Sequence, residues 1–183
     1  MAIPSREKTF GLESCRDLLN KLEWEEKRLK DTDEQDVEGL MYNAFNAAVT
    51  AWHIGDWVWG DMSPEQRKAL QGDWGVTLDK QGIFQTALRD KAPALNICRE
   101  IATASKHVKV TQYPDHTIDA NVSAKASNVT VDGETVTVNG SPVTTTVWVI
   151  EVFVSDQPVP FQKVLEEAIS FWHEFIYHRG IAR

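Results

Sequence analysis

GLMYNAFNAAVTAWHIGDWVW, residues Gly39 to Trp59, decides how the chain is read. From Gly39 to Gly55 it carries no formal charge, in a sequence of which 25% of the residues are charged. Apolar residues at Met41, Phe45, Ala48 and Trp52 follow the i, i+4, i+7, i+11 spacing of one helix face. Tyr42, Asn46, Val49, His53 and Asp56 repeat that spacing beside it. The pattern predicts a central helix buried nearly all round, with Met41 and Phe45 facing the core. A polar stripe inside such a helix needs partners, since an unpaired buried polar group costs about 1–3 kcal/mol.

Outward from this stretch the chain separates into three parts. Leu12 to Lys30 reads as a first helix, with Leu12, Cys15, Leu18, Leu19, Leu22 and Leu29 on one side and Glu23, Glu25, Glu26, Lys27 and Arg28 on a solvated face. Thr32 and Gln35 have the spacing of a capping box for the central helix, with Asp33 competing for the cap. The central helix runs to Trp59, where Gly60 offers a stop. Ser63-Pro64-Glu65-Gln66 opens a short helix ending near Gly72, with Ser as N-cap and Pro at its first position. GDWGVTLDKQG reads as loop, Ile83 to Asp90 as another short helix, and Pro93 starts a helix over Ala94–Lys106.

After His107 the period changes to two. Val108 to Val154 is rich in Val and Thr, and Asp132-Gly133 between alternating runs suits a type I′ hairpin turn. Asn139-Gly140 gives a second return, leading to the longest strand, Thr144 to Val154. Trp148, Ile150, Val152 and Val154 share one face of that strand. Pro158 and Pro160 end the strand region, and Phe161 to Arg179 forms the last helix, closed by Gly180. No internal repeat is visible. The expectation is a single α+β domain over 1–183: a bundle of about four main helices (10–107 and 160–180), with an antiparallel insertion of three or four strands (108–156) before the last.

The formal net charge of −8 argues against general binding to nucleic acid or anionic membranes. Between Arg89 and Lys109, however, the bases Arg89, Lys91, Arg99, Lys106 and Lys109 outnumber the acids Asp90 and Glu100, so an anionic partner is expected there. The two cysteines, Cys15 and Cys98, fall on apolar helix faces and read as core thiols. The N-terminus shows no apolar leader core, and the uncharged helix is too polar for a membrane span. The expected setting is a reducing cytoplasm.

Arg99 and His107 lie about 80° apart around one helix and about 12 Å along it. A permanent cation and a group that titrates near neutrality together suit phosphodiester cleavage through a 2′-hydroxyl, which needs no metal or other cofactor. The segment Arg99-Glu100-Ile101-Ala102-Thr103-Ala104-Ser105-Lys106-His107 resembles the HEPN family, helical domains that include many metal-independent RNases. In that family an Arg precedes a His by four to six residues at a helix end. Seven residues intervene here, and Glu100 stands where the family often has Asn, Asp or His. The resemblance implies an RNase or nucleotide-handling site with Arg99 and His107 as catalytic residues and RNA as partner. Lys106 is the adjoining ligand-binding candidate.

His53 and Asp56 are the further catalytic candidates. With Asn46 and Tyr42 as ligand-binding residues, their stripe would face Arg99 and His107 across a helix pair and complete one polar pocket. The plainer readings are a C-terminal helix cap for His107, a surface ion pair for Arg99, and a register-holding bond between His53 and Asp56. A metal site built from His53, Asp56, His107, His173 and His178 is a third possibility, although the last two lack the i, i+4 spacing of a zinc-binding helix. A non-catalytic interaction domain, dimerising through a sheet edge or an exposed helix, is the remaining class.

Overall fold

The structure, a computed structural model, describes residues 9–104 and 115–181. Among these residues six helices and a three-stranded antiparallel sheet make up an α+β fold, the sheet lying before the C-terminal helix as expected. The helices are α1 (Cys15–Lys30), α2 (Val37–Asp61), α3 (Pro64–Trp74), α4 (Gln81–Lys91), α5 (Pro93–Ala104) and α6 (Phe161–His178). Among the described residues none is long and apolar enough to cross a membrane.

Local chemistry accounts for the helix boundaries. Ser14 and Asp17 form a reciprocal capping box, so α1 starts at Cys15, three residues after the expected Leu12. Its first turn is tied to the far end of α2, where Asp61 Oδ2 accepts from the Cys15 N–H at 2.7 Å. The N-cap of α2 is Asp36, which accepts from the Gly39 N–H at 2.9 Å. Thr32 instead donates to the Arg28 carbonyl, and Asp33 accepts from the Gln35 N–H. The Ser63–Gln66 box opens α3 as expected. That helix ends two residues beyond Gly72, because Gly75 at φ 67° provides the left-handed cap.

The orientation of α2 departs from the hydrophobic pattern. Met41 and Phe45 are 39% and 43% exposed, and Tyr42 is 59% exposed. The buried face is Leu40, Ala44, Ala47, Ala48, Ala51, Ile54, Gly55 and Val58. Small residues go inward because the neighbours supply the volume. Trp172 of α6 is fully buried, and its indole N–H donates to the Ala51 carbonyl at 2.9 Å. A Cβ on Gly55 would lie 3.0 Å from Leu88 Cδ1 and 3.7 Å from the Trp172 ring. Around this contact Trp59, Trp74, Phe84, Phe171 and Phe175 form one aromatic cluster.

The sheet is a long ribbon of β1 (Ile118–Asn128) and β6 (Thr144–Val154), with β7 (Gln157–Pro160) added in the order β1-β6-β7. Ile118 pairs with Val154 and Asn128 with Thr144, without a break between. Val152 is fully buried, and Trp148, Ile150 and Val154 pack against the core, the face read from sequence. Prolines 158 and 160 do not end the strand region as expected. They belong to β7, an edge strand, where a missing N–H is tolerated. The return into β7 is Ser155-Asp156, both at positive φ, a turn without glycine that the sequence does not announce.

At the far end of the ribbon lie two short hairpins, one at each of the two expected returns, so that the run after Asp132-Gly133 is divided between them. They are β2–β3 (Thr130–Val131 with Glu134–Thr135) and β4–β5 (Thr137–Val138 with Ser141–Pro142). Asp132-Gly133 and Asn139-Gly140 all have positive φ, as type I′ turns require. VTVDGET and VTVNGSP are thus one hairpin unit used twice, a short repeat missed in the sequence. The three arms meet in a ring of backbone bonds: Val129 N–H to Val143 O, Val136 N–H to Val129 O, and Val143 N–H to Val136 O, at 2.8, 2.8 and 2.9 Å.

We expect Trp172→Phe to lower the unfolding free energy by about 2–4 kcal/mol, from lost volume together with the lost indole bond. A urea titration followed by far-UV circular dichroism reads the difference.

Candidate functional site

Arg99 lies in the second half of α5 and is 9% exposed. Its Nε donates to Asn96 Oδ1 at 3.3 Å, and its Nη2 pairs with the Glu100 carboxylate. A buried guanidinium keeps its charge and must therefore be compensated. Glu100 Oε1 also accepts from the Asp115 N–H at 3.0 Å, while Asn96 Nδ2 donates to Asp115 Oδ2 at 3.1 Å. Asp115 Oδ1 accepts from both the N–H and the hydroxyl of Thr117, at 3.0 and 2.6 Å. The result is one polar cluster joining α5 to the start of β1.

The electrostatics follow from these contacts. Burial pulls the Arg99 pKa below the ordinary guanidinium value and Arg89 adds to that, while Glu100 and Asp115 work in the opposite direction. Donation from Thr117 holds the Asp115 carboxyl below its usual 3.8. A carboxyl whose pKa is lowered on folding contributes stability above its ordinary value, and loses it as pH falls through the depressed one. The α5–β1 junction is therefore fully tied at neutral pH and loosens only in acid. Lys106 and His107 lie outside the described residues.

The polar stripe of α2 is divided between two places. Asp56 Oδ1 accepts from Gln81 Nε2 and Gln85 Nε2 at 2.7 and 2.6 Å, which ties α2 to α4. His53, one turn earlier, is half-buried and has an interaction of its own. Tyr42 and Asn46, at the other end of the helix, are exposed rather than enclosed. They line an open groove of about 580 Å³ between α1 and α2, together with Trp24, Glu25, Arg28 and Asp36. Asp56 is thus held by α4, Asn46 borders α1, and Arg99 is held within α5 and by Asp115.

The structure departs from the sequence reading at Glu25, expected on the solvated face of α1, and adds a second feature that the reading passed over. Glu25 is 6% exposed and pairs with Lys21, whose ammonium also donates to Thr50 Oγ1 at 2.7 Å. The signal was present in the i, i+4 spacing of Lys21 and Glu25 and in a threonine on an otherwise alanine-rich helix face. The second feature is an apolar groove of about 340 Å³, lined by Met41, Phe45, Ile101, Val122, Ile150 and Phe161, among others. It opens where α2 and α5 pass over the β1 side of the sheet, and it accounts for the exposure of Met41 and Phe45.

His173 and His178 have separate surroundings. His173 bonds Glu23 and stacks on Tyr177, with ring centroids 5.4 Å apart. His178 borders a cleft with Asp73, Lys91 and Arg179. Among the described residues no group of three or more His, Cys, Asp or Glu side chains is placed to hold a metal ion. Cys15 and Cys98 are both fully buried, and burial pushes each thiol up to about 12.

No protein-family model, curated protein or solved structure matches the chain.

Two outcomes are expected. Asp56→Ala frees both glutamines and costs about 1–3 kcal/mol of stability, and hydrogen exchange should quicken in α4 before it does in α5. Native protein at pH 7 should leave a thiol reagent unconsumed over minutes, whereas protein in concentrated denaturant should titrate both cysteines.

Proposed function

We propose that the chain is a HEPN-like, metal-independent ribonuclease or nucleotide-handling protein acting at the C-terminal half of α5. The observation that carries the reading is the anchoring of Arg99. A guanidinium fixed by Asn96 and Glu100 has already lost most of its side-chain freedom, so meeting a phosphate costs less ordering entropy than for an exposed arginine. Lys106 and His107 follow in the same basic segment, and the sheet reinforces it through Asp115 and Thr117.

In this reading His107 takes the proton of a ribose 2′-hydroxyl as its oxygen attacks the adjacent phosphorus. The bond to the 5′ oxygen breaks, leaving a 2′,3′-cyclic phosphate, and the departing 5′ oxygen takes a proton from water to become a hydroxyl. Arg99 balances the charge that gathers on the phosphoryl oxygens. His53 is the second histidine to test, since α2 packs against α5. Asp56 acts at a distance, by seating α4. Two core thiols suit a reducing, cytoplasmic setting.

The test is incubation of purified protein with single-stranded and hairpin RNA in excess EDTA. Wild type should cleave, and His107→Ala should slow cleavage by at least about 100-fold while the unfolding transition stays in place. Arg99→Lys keeps the charge but loses the planar fork, and should also cleave more slowly. RNA left intact by the wild-type protein, or cut equally fast by His107→Ala, would defeat the proposal.

A further inference from the structure

The two edges of the sheet differ. In β7 the two-residue turn at Ser155-Asp156 makes Val154 and Gln157 the hydrogen-bonded pair, which turns the backbone nitrogens of Pro158 and Pro160 toward the outside. That edge lacks donors at alternate positions and is closed to another strand. Among the described residues no strand pairs with the outer edge of β1. This strand has eleven residues, no proline and no break in register.

The direction of the β1 backbone groups follows from its neighbours. Ser155 N–H donates to the Thr117 carbonyl at 2.8 Å, so odd-numbered positions bond across to β6. Trp148, opposite Ala124, sends its N–H away from β1 to the Glu34 carbonyl at 3.0 Å. Even-numbered residues from Ala120 to Ala126 therefore present their N–H and C=O groups outward, and Ile118 presents its C=O alone, its N–H being given to the Asp115 carbonyl at 3.2 Å. Consistent with this, among the described residues the Val122 N–H is met by its neighbour's side chain, Asn121 Oδ1, at 2.8 Å.

We propose that β1 pairs with β1 of a second copy of this chain, antiparallel and with the two-fold axis at Val122, so that two three-stranded sheets become one of six strands. Charge selects both occupant and register. With Val122 opposite Val122, Asp119 of each copy stands across from Lys125 of the other, and both side chains are exposed in the single chain. Shifting the centre by one residue either way loses both pairs. Nine residues, 118 to 126, then lie opposite one another, with up to about eight backbone hydrogen bonds, since each Ile118 N–H stays with its own Asp115 carbonyl. Ala120, Val122 and Ala124 of the second copy fall on the helix-facing side, against the groove that leaves Met41 and Phe45 exposed. Asn121 has to release the Val122 N–H, and Lys125 keeps Glu151 within reach on its own chain. This pairing does not depend on the ribonuclease reading.

Sedimentation equilibrium on the whole chain tests the contact, and circular dichroism checks that each variant is folded. Wild type should be dimeric in the micromolar range. Asp119→Lys should raise the dimer dissociation constant at least about tenfold, by setting two like-charged pairs across the axis. An equimolar mixture of Asp119→Lys with Lys125→Asp should recover dimers, because each copy then complements the other. Should Lys125→Asp fail to fold, cysteine pairing decides. Residues 121 and 123 of opposite copies form a non-hydrogen-bonded pair with Cα atoms about 4.5 Å apart, within disulfide reach. Under mild oxidation, Asn121→Cys mixed with Ser123→Cys should cross-link, and Asn121→Cys alone should not. A wild type that stays monomeric at 100 times micromolar concentration, an Asp119→Lys variant that dimerises unchanged, or a mixture that does not cross-link would each overturn the proposal.

Discussion

The close approach of α6 to α2 is the constraint on which the other contacts depend. Trp172 can reach the Ala51 carbonyl only because the positions it meets on α2, Ala51 and Gly55, are small. A large residue at either of them would move α6 outward and open the aromatic cluster of Trp74, Phe84 and Phe175 built beside the indole. Small residues on one helix and large ones on its neighbours are a way to reach interior packing density. The arrangement also commits α2. With its alanine face inward, its larger side chains must find cover from the sheet or remain in water.

That commitment explains the main misreading of the sequence. Periodicity finds faces, and both faces of α2 are regular. Size favoured the one with Met41, Phe45 and Trp52, but burial is decided by what the neighbours can fill, and Trp172, Leu88 and Leu95 lie far away in sequence. Local signals served better. Ser63-Pro64-Glu65-Gln66 and Asp132-Gly133 depend on bonds within a few residues and are where the sequence put them, and the strand Thr144–Val154 carries its own period-two alternation although its partner β1 is distant. The Ser155-Asp156 turn carries no glycine to mark its positive φ values, so β7 stayed hidden and its prolines read as terminators.

The candidate site was legible in its parts and not in its assembly. Arg99 was singled out for its chemistry, and it is indeed a cation withdrawn from water. Its partners could be seen only in part. Glu100 is adjacent, whereas Asp115 lies beyond a segment of changed period, and nothing in the spacing says that β1 begins beside α5. Asp56 shows the same limit. Gln81 belongs to a stretch that reads as loop, and two glutamine amides have no pattern of their own, so the carboxylate looked as though it needed Arg99 or a histidine. Tyr42 and Asn46 fit the stripe by angle, but the helix that borders them is α1.

These partnerships change the standing of the β segment. On sequence alone it is an antiparallel insertion before the last helix of a bundle. In the fold it supplies Asp115 and Thr117, which hold Asn96 and Glu100, and those two fix Arg99. A guanidinium left in place without its acidic neighbourhood is an uncompensated charge, and it would leave the interior by moving α5 or itself into solvent. The bundle and the sheet are therefore not separable units with a site on one of them. The last half of α5 is shared: its apolar side belongs to the core and its polar side to the beginning of the sheet. Whatever Arg99 contacts in solution, its position is set by residues on both sides of that boundary.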